Sequence, residues 1–162
     1  MIQVIDLGGA PSAQVAEWMV DLATTLRQQD LDEIEATSGG DPAETLVASV
    51  MVSDRAWVVL VDEEPALVFG RAPTGVPQDS LVWLMGSPLM DRPAVRSFIL
   101  RRFRPYLAAL HADCRRLWNL IDARNTVSLR WLEWLGFRVV EAHPAAGREA
   151  RLFYTFERIA DV

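Results

Sequence analysis

Several residue types are scarce in this sequence of 162 residues, which has no lysine, one cysteine, two tyrosines and two histidines. The lone cysteine, Cys114, excludes a disulfide within the chain, and no Cys/His cluster has metal-ligand spacing. No apolar run approaches the roughly 20 residues that a membrane-spanning helix needs. The N-terminal segment lacks the basic start of a signal peptide. We therefore expect a cytoplasmic protein with a single domain over residues 1–162, no metal site and no membrane association.

The residues that are abundant describe a globular chain with unevenly placed charge. Hydrophobic residues make up 51% of the sequence and charged residues 23%, which favours a packed core over disorder. Residues 1–81 carry 14 acidic residues against 3 arginines, a net charge of −11, and residues 82–162 carry 8 against 13, a net charge of +5. The first half suits a cationic partner and the second an anionic one, although solvated helix faces would give the same distribution. The overall charge of −6 argues against general nucleic-acid binding.

Hydrophobic periodicity and cap residues divide the chain into strands and helices. Asp41 and Pro42 form a strong helix start, and Pro105 is expected to kink its helix or to end it early. In chain order the predicted elements are strand 2–7, a helix from Pro11 to about Gln28, helices over 30–37 and 40–53, strands 56–61, 66–72 and 80–85, a helix from about Ala94 to Leu110, strand 116–122, a helix over 126–135, and strands 137–142 and 152–158. The last two helices each connect strands in a βαβ manner, which predicts an α/β domain with a mixed sheet.

The stretch NTVSLRWLEWLGF, residues 125–137, carries the most specific pattern. Its Asn can cap a helix and its Gly can release the chain into the next strand, as in any ordinary capped helix. The stretch resembles the second half of the GNAT (Gcn5-related N-acetyltransferase) superfamily, which has Asn, a small residue, an aromatic–Tyr pair and Gly-Phe at this spacing. The matching residues are Asn125, Ser128, Trp131–Leu132 and Gly136–Phe137.

The resemblance covers nearly the whole chain and implies its architecture. The family's order is strand, two helices, three strands, helix, strand, helix and two strands, which gives a mixed sheet of about seven strands wrapped by helices. The sheet is expected to splay between strands 80–85 and 116–122. The order predicted from the sequence, with the three helical segments before the second strand counted as two helices, matches this family order.

The resemblance also implies acetyl-CoA as co-substrate and a set of binding residues. The acetyl carbonyl would lie near Trp83, Leu84 and Met85, where a strand N–H could act as an oxyanion donor. Asn125 and Ser128 would stand at the helix N-terminus beside the cleft. The family's glycine-rich diphosphate loop corresponds to GSPLMDRPAV, which contains Gly86 but lacks the spaced glycines. Two side chains could supply charge instead or simply face solvent, namely Arg92 and Arg96.

The catalytic residues depart from the family pattern. The usual general acid is the Tyr of the aromatic–Tyr pair, and this sequence has Leu132 there. Both tyrosines, Tyr106 and Tyr154, lie outside the motif and are expected to pack in the core. The candidate general bases, by location near the expected acceptor mouth, are Glu33, Glu35 and Asp79, each of which could equally be a solvated carboxylate.

Two functions remain open at this level. One is transfer of an acyl group from acetyl-CoA to an amine, of a small molecule or of a protein. The other is a fold whose chemistry has been lost, because DLDEIEATSG, WLMGSP and NLIDARNTVSLRWLEWLGF also resemble the internal virion protein A family of short-tailed phages. That second hypothesis implies phage structural proteins or a second copy of the chain as partners, in the host cytoplasm or the virion.

Overall fold

Seven strands and five helices make up the part of the chain that this computed structural model describes, residues 1–160. The strands are β1 (Ile2–Asp6), β2 (Arg55–Val61), β3 (Glu64–Pro73), β4 (Asp79–Gly86), β5 (Arg116–Asp122), β6 (Arg138–Ala146) and β7 (Arg151–Ile159). The helices are α1 (Ser12–Ala23), α2 (Gln28–Thr37), α3 (Pro42–Val52), α4 (Pro93–His111) and α5 (Thr126–Trp134), with 3-10 turns at Leu7–Gly9 and Pro88–Asp91.

All of these strands belong to one mixed sheet in the order β1-β2-β3-β4-β5-β7-β6. The β4–β5 pair is parallel, and the other neighbouring pairs are antiparallel. The predicted fold class, an α/β domain with a mixed sheet of about seven strands, is confirmed. None of the helices in residues 1–160 has both the length and the apolar character needed to cross a membrane.

The sheet separates two apolar cores. On one face, α4 and α5 pack on side chains of the central strands, with Phe69 and Leu117 near the centre. On the other face, α1, α2 and α3 cover the first strands, and Met19 and Leu46 are fully buried there. Because side chains alternate along a strand, each central strand contributes to both cores. The gap described below therefore opens toward α2 on one face and toward α5 on the other.

Three helices precede β2, so the predicted order, which has two helices there, is wrong at this point. The predicted helix to Gln28 is wrong at its C-terminal end, since α1 ends at Ala23. The hydroxyls of Thr24 and Thr25 donate to the carbonyls of Asp21 and Leu22, three residues earlier in each case. These bonds satisfy the last carbonyls of α1 and allow the chain to turn before α2 begins.

Helix α4 runs through Pro105 to His111, so the predicted early end is wrong. Pro105 is exposed, while Phe103 and Leu107 on either side of it are buried against the sheet. The apolar contacts before and after the proline hold the helix in place although one backbone hydrogen bond is missing.

The caps of α5 agree with the sequence prediction. The Asn125 side chain accepts a hydrogen bond from the Ser128 N–H at 3.2 Å. At the other end Gly136 has φ +88°, the Phe137 N–H donates to the Leu132 carbonyl, and the Gly136 N–H donates to the Glu133 carbonyl. This pair of bonds is the Schellman motif, in which glycine accepts the left-handed conformation without strain.

Strands β4 and β5 pair for only three residues and then diverge. The paired segments are Asp79–Leu81 and Arg116–Trp118. Just beyond them, the Asn119 side-chain amide donates to the Val82 carbonyl at 2.9 Å and marks the point where the gap begins. The predicted splay between strands 80–85 and 116–122 is confirmed.

Candidate functional site

The divergence of β4 and β5 opens a cleft of about 290 Å³ that passes through the sheet. Its edges are formed by residues of the two strands, including Leu84 and Asn119. On one face it is lined from α2 and neighbouring elements by Asp30, Glu33, Ile34, Thr37, Met85 and Phe153. On the other face it is lined from α4 and α5 by Phe103, Ser128, Trp131 and Leu132. We call these walls the α2 side and the α5 side of the cleft.

The backbone of Leu84 faces this gap. Val82 accepts a hydrogen bond from the side of β5, and the Gly86 N–H also points away from β3. Backbone N–H and C=O groups of alternate residues in a strand point the same way, so Leu84 between them presents its N–H toward β5. Because β5 has diverged at this level, the N–H faces the cleft instead of a partner strand.

Helix α2 is bound to the end of β4 through a buried ion pair. Asp30, 5% exposed, accepts from the Arg27 guanidinium at 2.9 Å and from the Gly86 N–H at 3.1 Å. The Arg27 N–H in turn donates to the Gly86 carbonyl at 2.9 Å. The loop before α2 and its first turn therefore replace β5 as the hydrogen-bonding partner of Gly86, which keeps the gap open at its wide end.

One helical turn later, Glu33 makes the corresponding contact with the other strand. Its carboxylate accepts from the Asp122 N–H at 2.9 Å, at the C-terminal end of β5. Residues three apart lie on the same face of a helix, so Asp30 and Glu33 reach the two diverging strands side by side. Sequence reasoning missed Asp30, although its spacing from Glu33 was the signal that could have identified it.

Among the carboxyl groups that line the cleft, Glu33 has a strongly shifted pKa. Burial raises the pKa of Glu33 from its ordinary value of 4.5 to about 7. The negative charges of Asp30 and Asp122 act in the same direction. Hydrogen bonds from the Asp122 N–H and the Asn125 side chain oppose the rise without cancelling it. Near neutral pH this group can both accept and release a proton.

The neighbouring carboxylate, Asp122, behaves differently. Its side chain is buried and forms a bidentate ion pair with the Arg124 guanidinium, which donates to both carboxylate oxygens. This contact holds the pKa of Asp122 below its usual range. Asp122 thus stays ionised, and its negative charge favours a proton on Glu33.

The two other predicted bases lie outside the cleft lining. Glu35 is exposed and paired with Arg148 of the β6–β7 turn. Asp79 lies at the start of β4, away from the wide end of the gap, where it accepts from the Trp118 indole at 2.9 Å and from Thr74 and Arg116. These contacts hold the pKa of Asp79 below its usual range despite its burial.

On the α5 side the predicted motif residues come together. Asn125, Ser128, Trp131 and Leu132 all line the cleft, and the N-terminus of α5 is directed at it. The Trp131 ring packs edge-on against Phe103 at 5.0 Å between centroids. Leu132 forms part of the apolar wall where the family places a tyrosine. Neither Tyr106 nor Tyr154 lines the cleft; both pack against the core on the α4–α5 face.

The loop between β4 and α4 does not form a cradle of free amides. The Ser87 N–H donates to the Ala66 carbonyl, and the Leu89 N–H donates to the Ser87 hydroxyl. The Met90 N–H is also used within the 3-10 turn. The predicted Arg92 and Arg96 are exposed at the start of α4, and neither they nor Gly86 line the cleft.

Other predicted binding residues are placed as follows. Trp83, Leu84 and Met85 line the cleft, and the Trp83 indole donates to the Ser53 hydroxyl at 2.8 Å.

Cys114 is buried, with its thiol against the carbonyls of Gln78 and Arg116. Within residues 1–160, no group of three or more His, Cys, Asp or Glu side chains is arranged to hold a metal ion.

Comparison with known proteins gives the same architecture. No protein-family model matches the sequence, and no curated protein is significantly similar to it. Among solved structures, a GNAT-family acetyltransferase from Streptococcus pneumoniae superposes with a TM-score of 0.63 at 16% identity, covering 99% of this chain and 100% of the other. A GCN5-related N-acetyltransferase from Kribbella flavida gives a TM-score of 0.65 at 15% identity, covering 98% of each chain.

A third structure is a RimL ribosomal L7/L12 α-N-protein acetyltransferase in complex with coenzyme A. It superposes with a TM-score of 0.66 at 12% identity, covering 99% of this chain and 94% of the other. The phage resemblance receives no support from these structures. The chain has the GNAT acetyltransferase fold along essentially its whole length.

Proposed function

We propose that this protein is an acyl-CoA-dependent N-acyltransferase in which Glu33 is the general base. The observation that carries the proposal is the Glu33 carboxyl group, which lines the gap between β4 and β5 with a pKa of about 7. A general base works best when its pKa lies near the working pH. A protonated amine entering from the α2 side would lose its proton to Glu33 and gain the lone pair it needs for attack.

The thioester end of an acyl-CoA fits the residues that line the gap. The Leu84 N–H would face the carbonyl oxygen and stabilise the negative charge that develops there. The apolar wall of Trp131 and Leu132 suits an alkyl chain, while Asn119, Asn125 and Ser128 offer polar contacts. When bound, the co-substrate supplies an activated acyl group, and this chain contributes orientation, exclusion of water and proton transfer.

The diphosphate end fits less well. The amides that would cradle phosphate oxygens are used inside the turn at Pro88–Asp91. The N-terminus of α4 and the guanidinium groups of Arg92 and Arg96 remain as donors for an anion. We therefore expect the affinity for coenzyme A to depend on exposed charge and to fall with salt.

The leaving thiolate needs no tyrosine for this scheme. A thiol has an ordinary pKa of about 8.5, so a thiolate is a tolerable leaving group near neutral pH. The partial positive charge at the N-terminus of α5 favours a negative sulfur beside it. Two protons leave the nitrogen in this scheme. Glu33 takes the first before attack and releases it to solvent, and the second, lost from the nitrogen as the C–N bond forms and the C–S bond breaks, passes through Glu33 or water to the leaving thiolate.

The direct experiment measures acetyl-CoA binding by calorimetry and acetyl transfer to a panel of amines by release of free thiol. The proposal expects binding at submillimolar to millimolar concentration and amine-dependent thiol release that the Glu33→Gln variant lacks. Thiol release that is independent of Glu33, or no binding at millimolar acetyl-CoA, would overturn it.

A second candidate is a non-catalytic protein that retains the fold. Leu132 at the tyrosine position and the internally satisfied loop favour it. That candidate predicts no acetyl-CoA binding, and it leaves the raised pKa of Glu33 without a use. The same calorimetry separates the two.

A further inference from the structure

The ionisable groups on the α2 side of the cleft are all acidic. Its lining includes the carboxyl groups of Asp30 and Glu33 and, among the residues that the structure describes, no arginine or histidine. Asp30 is already neutralised by the buried Arg27 guanidinium. Glu33 forms no ion pair within residues 1–160. A ligand in this wall would therefore meet one carboxyl group that lacks a cation.

Arginines that contact α2 or the end of β5 are already paired with carboxylates, as Arg27 is with Asp30. Arg124 is paired with Asp122, and Arg148 is paired with Glu35. Moving either guanidinium to a ligand would leave a carboxylate without its partner, and for the buried Asp122 this is costly. Within residues 1–160, the lining of this wall therefore offers no unpaired cation to an anionic group on the ligand.

The remaining surface of this side is mostly apolar and of limited extent. Ile34, Met85, Leu120 and Phe153 supply apolar surface, and the whole cleft measures about 290 Å³. The β6–β7 turn closes over the end of α2, since the Arg148 N–H donates to the Ala36 carbonyl at 2.8 Å. This geometry suits a small molecule with an apolar body better than a peptide chain.

We infer that the acceptor is a small primary amine on an apolar body that carries no carboxylate or phosphate. The ammonium group supplies the cation that Glu33 lacks, and the apolar body lies against Leu120 and Phe153. The inference rests on the proposed function and narrows its acceptor. Specificity comes chiefly from rejecting an anion. The free energy needed to bury an unpaired charge is far larger than the binding free energy lost with one apolar contact.

Three probes with the same phenylethylamine skeleton test the charge rule: 2-phenylethylamine, L-phenylalaninamide and L-phenylalanine, each assayed with acetyl-CoA and the wild-type protein. The last two carry an added group of equal size, neutral in the amide and charged in the acid. The expected kcat/KM for L-phenylalanine is at least about 100-fold below that for 2-phenylethylamine. L-Phenylalaninamide, which has the added group without its charge, stays within about tenfold of 2-phenylethylamine. Equal use of L-phenylalanine, or equal use of a phenylalanine-initiated tetrapeptide amide, would overturn the inference.

A pair of variants tests whether the cleft lining is responsible for the discrimination against anionic amines. Leu120→Arg places a cation in the lining and is expected to narrow the ratio between 2-phenylethylamine and L-phenylalanine by about tenfold. Val139→Arg is the matched control, because Val139 is also a partly exposed aliphatic residue on a strand but does not line the cleft. An unchanged ratio in folded Leu120→Arg, or the same narrowing in both variants, would contradict the inference.

The failures of the inference and of the proposed function are distinguishable. Acetyl transfer to anionic amines but not to 2-phenylethylamine would overturn the acceptor class and leave the acyltransferase proposal standing. Absence of acetyl-CoA binding and of any transfer would overturn both. Calorimetry with 2-phenylethylamine alone supplies a readout besides activity, and binding that Glu33→Gln weakens at least about fivefold supports the ion-pair role.

Discussion

Two regions of the molecule, the α2 side of the cleft and the N-terminus of α4, use charge in different ways. On the α2 side, Asp30 and Glu33 are held inside the protein, each by a backbone N–H of a different strand. On the side of the α4 N-terminus, Arg92 and Arg96 are exposed, and the loop amides before them are satisfied internally. A buried charge is sensitive to small changes of geometry, whereas an exposed charge is screened by water and salt.

The two regions should therefore respond differently to substitution. The α2 side fixes a proton-accepting group and two strand ends in one arrangement, so substitutions there should have large effects. The N-terminus of α4 attracts an anion through exposed, solvent-screened charges, so each substitution there should weaken binding only moderately.

Glu33→Gln should lower kcat/KM for acetyl transfer by about 10²–10⁴-fold, because the amide cannot accept the proton of the amine. The amide oxygen can still accept from the Asp122 N–H, so the fold and acetyl-CoA binding should persist. Steady-state kinetics and calorimetry measure the two effects. Glu35→Gln is the control on the same helix, exposed and outside the cleft lining, and it should stay within about twofold of wild type. Loss of activity in the control alone would reverse our assignment.

Asp30→Ala should destabilise the protein by about 3–5 kcal/mol, because it leaves Arg27 buried without its partner and the Gly86 N–H without an acceptor. Urea unfolding measures the change. Asp32→Ala, two residues along α2, removes a partly exposed carboxylate that accepts a hydrogen bond from the Gln28 side chain, and it should cost less than about 1 kcal/mol. Equal losses in the two variants would mean that the α2 side is no more sensitive than an ordinary helix surface.

The pKa of Glu33 predicts how stability depends on pH. The folded state binds a proton at Glu33 more tightly than the unfolded state, with a pKa of about 7 against 4.5. The stability that this group contributes is therefore fully present below pH 4.5 and is lost as the pH rises through about 7. Such a change corresponds to at most about 3 kcal/mol, and partial exposure of Glu33 reduces it to about 1–3 kcal/mol.

Glu33→Gln isolates this contribution, since it removes one titrating group and leaves the other carboxylates in place. The free energy of unfolding of the variant minus that of wild type should increase by about 1–3 kcal/mol between pH 4.5 and pH 8. In the active enzyme, kcat/KM of wild type should rise with an apparent pKa near 7. A stability difference that does not vary with pH would show that Glu33 has an ordinary pKa.

The double variant Arg92→Ala and Arg96→Ala should weaken coenzyme A binding by roughly 10–100-fold and leave the unfolding free energy within about 0.5 kcal/mol. The salt dependence of binding should also decrease. Arg101→Ala with Arg102→Ala removes two exposed charges farther along α4 and serves as the control. An equal loss of affinity in that control would assign the effect to general charge rather than to the N-terminus of α4.

Leu132→Tyr should raise kcat by at most about tenfold, because the new hydroxyl would stand in the cleft wall where a leaving thiolate could take its proton. Leu132→Phe adds the ring without the hydroxyl and separates bulk from acidity. A gain in both variants, or in neither, would show that proton donation to the leaving group does not limit the rate.

Sequence reasoning predicted the local features of the site better than their relations. Asn125 as a cap and Gly136 as a terminator follow from residue type and spacing, and both are observed. Pro105 misled the prediction, because the apolar residues around it hold the helix against the sheet. Glu33 was one of three candidate carboxylates, since nothing in the local sequence distinguishes it from Glu35.

The caps, the apolar periodicity and the pattern over residues 125–137 follow from the amino-acid sequence alone, because all of them depend on neighbours within a few turns. The tertiary structure decided which carboxylate has an unusual pKa. Glu33 meets the Asp122 N–H across 89 positions of the chain, whereas Glu35 turns outward to the β6–β7 turn. Desolvation and the charges that surround a group depend on elements brought together by folding, and a single sequence does not specify them residue by residue.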